Sequence, residues 1–144
     1  MPSAATQILQ NLLSTLRTAD LFAHVAIGKT SSETSVPRAN IIYEGDDVFE
    51  SDDTASTRWA RLRASVEIHT RCDDSAESAT RLADLAAATR ETLIADPYRG
   101  QLCIDLPIGR ATEVTAYRTL GNLKRPEAEC TLNLRCHFEL EEEE

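Results

Sequence analysis

The chain has 144 residues, 42% of them hydrophobic but only 5% aromatic, and a formal net charge of −9. That length fits one domain whose core is built from Leu, Ile, Val and Ala without help from disulfides or metals. No stretch approaches the ~20 continuous apolar residues of a membrane helix, and an acidic chain without clustered Lys and Arg is a poor duplex binder.

Met1 to Ala5 carries neither a basic nor an apolar leader segment, so no secretory signal is expected and the chain is read as one made in a cytoplasm. Thr6 to Arg17 places Ile8, Leu9, Leu12, Leu13 and Leu16 on one helical stripe, with Ser3 as its N-cap. Phe22, Val25 and Ile27 open a short strand. Lys29 to Ser35 is small and polar and reads as a loop. Pro37 to Tyr43 gives a second short strand around Ile41 and Ile42. The run that follows, Glu44 to Asp53, holds six acids and no base, and is expected as a hairpin tip or a mobile loop. From Ala60 the alternation is strict. Ala60, Leu62, Ala64, Val66 and Ile68 form one face of a strand, and Arg61, Arg63, Ser65, Glu67 and His69 form the other.

Asp74 and Glu77 have the spacing of a capping box. They lead into a second helix with Ala79, Leu82, Ala83, Ala86, Leu93 and Ile94 expected on its buried stripe. Glu77 and Arg81 can pair across one turn. Asp96-Pro97 stops this helix, because the residue before Pro is pushed out of helical space. Leu102, Ile104, Leu106 and Ile108 alternate again, in a strand that Pro107 bends or confines to an edge. Glu113 to Tyr117 continues as strand and Gly121-Asn122 signals a turn. Last, Cys130, Leu132, Leu134, Cys136, Phe138 and Leu140 face one way; Glu129, Thr131, Asn133, Arg135, His137 and Glu139 face the other. The expected fold is one α+β domain over residues 1–144, a single mostly antiparallel sheet with two main helices packed on one face.

The charge is unevenly spread. Glu44, Asp46, Asp47, Glu50, Asp52 and Asp53 concentrate it in one segment around Phe49. Glu139 and the tail Glu141 to Glu144 hold five more acids, and the rest of the chain is close to neutral. Such runs ordinarily keep a chain solvated.

Motifs that would carry chemistry are missing or broken. Gly28-Lys29-Thr30 echoes a phosphate-binding loop, but Ala23 stands where that loop needs its first glycine. His24, His69 and His137 have no ligand spacing. Cys72, Cys103, Cys130 and Cys136 form no CxxC pair and read as small buried hydrophobes. No catalytic residue, metal or cofactor is expected. The polar faces of the two long strands stand out instead. Arg61, Arg63, Glu67, His69, Arg135 and His137 are candidates for a subunit interface in which arginines pair with a neighbour's acids.

Three blocks together resemble the tail terminator (tail completion, minor tail) proteins of long-tailed phages. They are the apolar helix Thr6 to Arg17; the strand R-L-R-A-S-V-E-I-H-T with its acid-capped Ala/Leu helix ending at Ile94-Ala95-Asp96-Pro97; and the strands Leu102 to Tyr117 and Glu129 to Leu140. The likeness is one of layout and covers nearly the whole chain. It implies a virion protein of the tail and neck, assembled in the host cytoplasm as a hexameric ring. Such a ring caps the tail tube, ends its polymerisation and meets the head connector, with genomic DNA only as passing cargo and no membrane. On that reading Lys29 to Ser35 and Glu44 to Asp53 are the loops that order on the tube or connector, or line the lumen. A head-closure protein or tail tube subunit has a similar build. A small catalytic or ligand-binding domain is the rival from another class, with His69, His137 and Cys72 as the residues to watch.

Overall fold

A computed structural model describes residues 2–30, 35–50, 58–71, 75–104, 112–121 and 127–140. The elements run α1 (Ala4–Thr18), β1 (His24–Ile27), β2 (Arg38–Glu50), β3 (Arg58–Arg71), α2 (Ser75–Ile94), β4 (Thr112–Gly121) and β5 (Glu127–Leu140). One five-stranded sheet has the order β1-β2-β3-β5-β4. Only β1 and β2 are parallel; the other three pairings are antiparallel. Both helices pack into a single core on one face of the sheet, so the fold is the α+β arrangement expected.

Helix α1 forms where the apolar stripe predicts. Ser3 Oγ accepts the Thr6 N–H at 3.1 Å, and Ile8, Leu12 and Leu16 are fully buried. The Arg17 guanidinium donates to the Val25 carbonyl at 3.1 Å, which ties the end of the helix to β1. The β1–β2 unit leaves at Gly28, whose N–H donates to Ile41 O at 2.8 Å, and Thr30 Oγ1 donates to Asn40 Oδ1 at 3.1 Å.

β3 and β5 are the centre of the sheet. Their registered pairs Ala60–Phe138, Leu62–Cys136, Ala64–Leu134, Val66–Leu132 and Ile68–Cys130 are all buried. The period-2 pattern of both strands is therefore realised as read, with one face given wholly to the core.

Three expectations need correction. Of the two readings of the acidic run, hairpin tip or mobile loop, the loop is wrong through Glu50: the 13-residue β2 runs on through residues 44–50 as the far arm of a hairpin with β3, interrupted only by an irregularity between Tyr43 and Gly45. Pairing with the 14-residue β3 overrides the poor strand propensity of Asp, Glu and Gly. Asp52 and Asp53 lie outside the described residues, as do Asp74 of the expected capping box and the tail from Glu141.

The buried line of α2 is also rotated from the one expected. Ser78, Leu82, Thr89 and Leu93 are buried, while Ala79 and Ala83 are exposed. The hydroxyls enter the interior because each finds a carbonyl: Ser78 Oγ donates to Arg71 O at 3.0 Å and Thr89 Oγ1 to Leu85 O at 2.7 Å. Finally, Leu102 to Ile104 is not strand. It belongs to a series of turns in which Arg99, Gly100 and Gln101 all have positive φ. Leu106 and Ile108 fall outside the described residues.

Candidate assembly interface

The face of the sheet away from the helices is built in rows, because registered residues of neighbouring strands point to the same side. One row runs Asp47, Arg61, His137. The next runs Gly45, Arg63, Arg135, Glu113. Then come Ile42, Ser65, Asn133, Thr115; Asn40, Glu67, Thr131; and, at the far end, Arg38, His69, Glu129. All six residues singled out from the sequence thus stand on one face.

Within that face the charges are partly spoken for. Asp47 Oδ2 lies 3.1 Å from Arg63 Nε and 3.4 Å from Arg61 Nη2, so one carboxylate serves two guanidiniums. Arg135 stands directly opposite Arg63, is exposed, and has no ion pair among the described residues. The centre of the face is therefore basic. At the other end His69, mostly buried, sits 3.9 Å from Glu67 Oε1 and 3.7 Å from Glu129 Oε2. At these separations both contacts are ion pairs when the imidazole is protonated, not short hydrogen bonds.

The face is also less solvated than an outward strand face suggests. Arg38, Asn40 and Ser65 are 3%, 2% and 4% exposed. That row structure could not be read from strand alternation alone, since it depends on which strands become neighbours.

The acidic segment has a different geometry from the one expected. Asp47 is neutralised by the two arginines, whereas Glu44 and Asp46 are exposed. Phe49 and Glu50 are paired in register with Trp59 and Arg58. On the helix side of the hairpin, Tyr43 and Val48 are 47% and 60% exposed, because the hairpin runs on past the cover of α1. At ~3.3 Å per residue β2 and β3 are each about 45 Å long.

Gly45 sits at the register irregularity of this arm. Its φ is +119°, and a Cβ there would sit 3.4 Å from Arg63 Nη2. Gly45→Ala is expected to destabilise the fold by about 1–2 kcal/mol through the strained backbone alone, since the added Cβ makes only ordinary contact with the end of the Arg63 side chain. A lower urea midpoint at unchanged m-value checks it.

The opposite side of the domain carries the solvent face of α2. Thr80, Asp84, Ala87 and Glu91 fall on one exposed line. Arg81 is paired with Glu77 at 3.0 Å, as expected, and Asp84 and Glu91 have no ion pair among the described residues. Leu21, Leu85 and Ala88 floor a shallow open groove beside it.

Among the described residues no group of His, Cys, Asp and Glu has the arrangement of a metal site, and no helix is long and apolar enough to cross a membrane. Comparison with known proteins finds no matching family model and no matching curated protein. Among solved structures the chain is similar to one described as the virion of a native gene transfer agent (GTA) particle. The identity is 14% over 94% of this chain and 93% of that chain, with a TM-score of 0.40.

Proposed function

We propose that this chain is a non-catalytic structural subunit of a phage-like tail. It assembles head to tail into a closed hexameric ring that caps the tail tube, ends its polymerisation and joins the tail to the head connector. Its place is the tail and neck of the virion, after assembly in the host cytoplasm, and DNA passes through the ring without being held.

The observation that carries this reading is the opposite character of the two faces of the domain. The outer sheet face has a basic centre, where Arg61, Arg63 and Arg135 outnumber the two acids among them, Asp47 and Glu113. The α2 face presents Asp84 and Glu91, flanked by Ala83 and Ala87, which are small enough for a partner to approach closely. A face that complements the back of its own copy makes a heterologous contact, and such contacts build rings when the rotation closes. The order of elements, helix, strand pair, long strand, helix, strand pair, supports the tail terminator layout. The exposed acids Glu44 and Asp46 on the hairpin arm suit a lumen that repels the DNA backbone.

Light scattering over a concentration series, with and without tail tube protein, tests the proposal. A species of six chains, alone or on the tube, is the expected result. A monomer under both conditions would overturn it.

A further inference from the structure

Beneath the turn that follows α2, two cysteines from distant parts of the chain meet. Cys103 is 3% exposed and Cys136 fully buried, and both are free thiols. Ile104 N–H donates to His137 O at 2.9 Å, so the two backbones are joined one residue away from each cysteine. Both thiols are buried in the same core beside this link, near enough for each to shift the other's titration.

Two further groups close the cluster. Thr112 pairs with Cys136 in register and is fully buried, and its hydroxyl faces the sulfurs without a well-formed hydrogen bond. The Arg99 guanidinium supplies positive charge nearby. Cys136 is held below the ordinary thiol value, first by the hydrogen bond from Cys103 and then by Thr112 and Arg99, against the opposing effect of burial. The same contact and burial push Cys103 well up. Cys130 has no such company: burial, then Glu129, pushes it up to about 11. A thiol favoured as thiolate beside a second thiol is the arrangement of an attacking and a resolving cysteine.

We propose that Cys103 and Cys136 form a reversible intramolecular disulfide, made by exchange with a small-molecule disulfide once the protein leaves a reducing cytosol. The Cys136 thiolate attacks one sulfur of the small disulfide and expels one thiolate. The Cys103 thiol then loses its proton, attacks the Cys136 sulfur of the mixed disulfide and expels the second. Two protein thiols are oxidised and one small disulfide is reduced to two thiols. Access comes from opening of the turn, which is held by Leu102 N to Arg99 O at 3.3 Å and Cys103 N to Tyr98 O at 2.9 Å. The bond staples this turn to β5. The setting, a particle that passes from cytosol to an oxidising medium, rests on the function proposed above, whereas the cross-link itself is read on the isolated chain.

The test uses the full chain in its native state with oxidised glutathione, followed by proteolysis without reduction and mass spectrometry. The expected product is a peptide pair joining Cys103 to Cys136, with the intact monomer lighter by two hydrogens and reversal by dithiothreitol. The melting temperature of the oxidised chain should rise by roughly 5–10 °C. Cys103→Ser should stop at a mixed disulfide on Cys136, and Cys136→Ser should carry none on Cys103. The peptide map of the unsubstituted chain does not depend on either variant folding. No cross-link after overnight exchange, or a cross-link through Cys72 or Cys130, overturns the proposal.

Discussion

Arg99→Met is expected to lower the unfolding free energy by about 2–4 kcal/mol, and the melting temperature by roughly 10 °C, although it removes a charge from the interior. Arg99 is fully buried. Its guanidinium donates to the carbonyls of Leu93 and Asp96, and reaches Asn11 Oδ1 of α1 at 3.4 Å. One side chain thus closes the C-terminal end of α2, where unpaired carbonyls and the helix dipole both favour a cation, and links it to α1.

Burial draws the Arg99 pKa down, but arginine starts so high that it stays charged. Methionine fills much of the volume of the stem but leaves the buried Leu93 carbonyl without its donor, at about 1–3 kcal/mol, and gives up the charged bonds to Asp96 O and Asn11, although Asp96 O keeps the backbone N–H of residue 99 at 3.3 Å. Relief of the buried charge offsets part of that loss. Arg99→Lys keeps the charge but not the planar fork that reaches both carbonyls, so it should recover less than half the loss. Urea unfolding at constant m-value checks both variants. A Met variant within 0.5 kcal/mol of the parent would show that the guanidinium only offsets its own desolvation.

What the sequence made legible follows from periodicity. β3 and β5 were readable to the residue because both bury one face completely, and a single slip in register would have exposed Leu62 or Leu134. Helix α1 was readable because leucines and isoleucine mark its stripe without ambiguity. Helix α2 was readable as a helix but not in its rotation. Alanine commits little free energy to burial, and Ser78 and Thr89 go inside on the strength of carbonyl partners that only the folded chain supplies.

The acidic part of β2 was hidden for a related reason. Asp47 is tolerable in a strand because Arg61 and Arg63 lie across from it, and that pairing is a property of register rather than of local sequence. The six face residues could be named from alternation, but the two-to-one sharing of Asp47 and the placing of Arg135 against Arg63 could not. Arg99 and Cys103 carried no periodic signal at all. They sit in a turn fixed by Asp96, whose carboxylate accepts the Tyr98 and Gly100 N–H groups at 3.1 and 2.7 Å, and by three residues in left-handed backbone.

Arg135→Glu should separate folding from assembly. Within one chain Arg135 faces Arg63 across the β3–β5 pair, a like-charge contact that costs a few tenths of a kcal/mol. Glutamate there turns the contact with Arg63 into an attraction and the one with Glu113, its partner on β4, into a repulsion, so the two changes offset and the monomer should be unchanged within about 0.5 kcal/mol. The contact between copies should respond in the other direction. If Arg135 meets Asp84 or Glu91 on the α2 face of the next copy, reversal replaces a charge pair by a like-charge contact, costing ~2–4 kcal/mol per interface, or about 30–1000-fold in affinity. A closed ring repeats that loss at every contact, so the variant should remain monomeric where the parent assembles. Asp84→Arg in the same chain restores a complementary pair and should recover the ring. Light scattering reads the mass and a thermal melt reads the fold. A folded Arg135→Glu protein that still assembles like the parent would move the subunit contact off the outer sheet face.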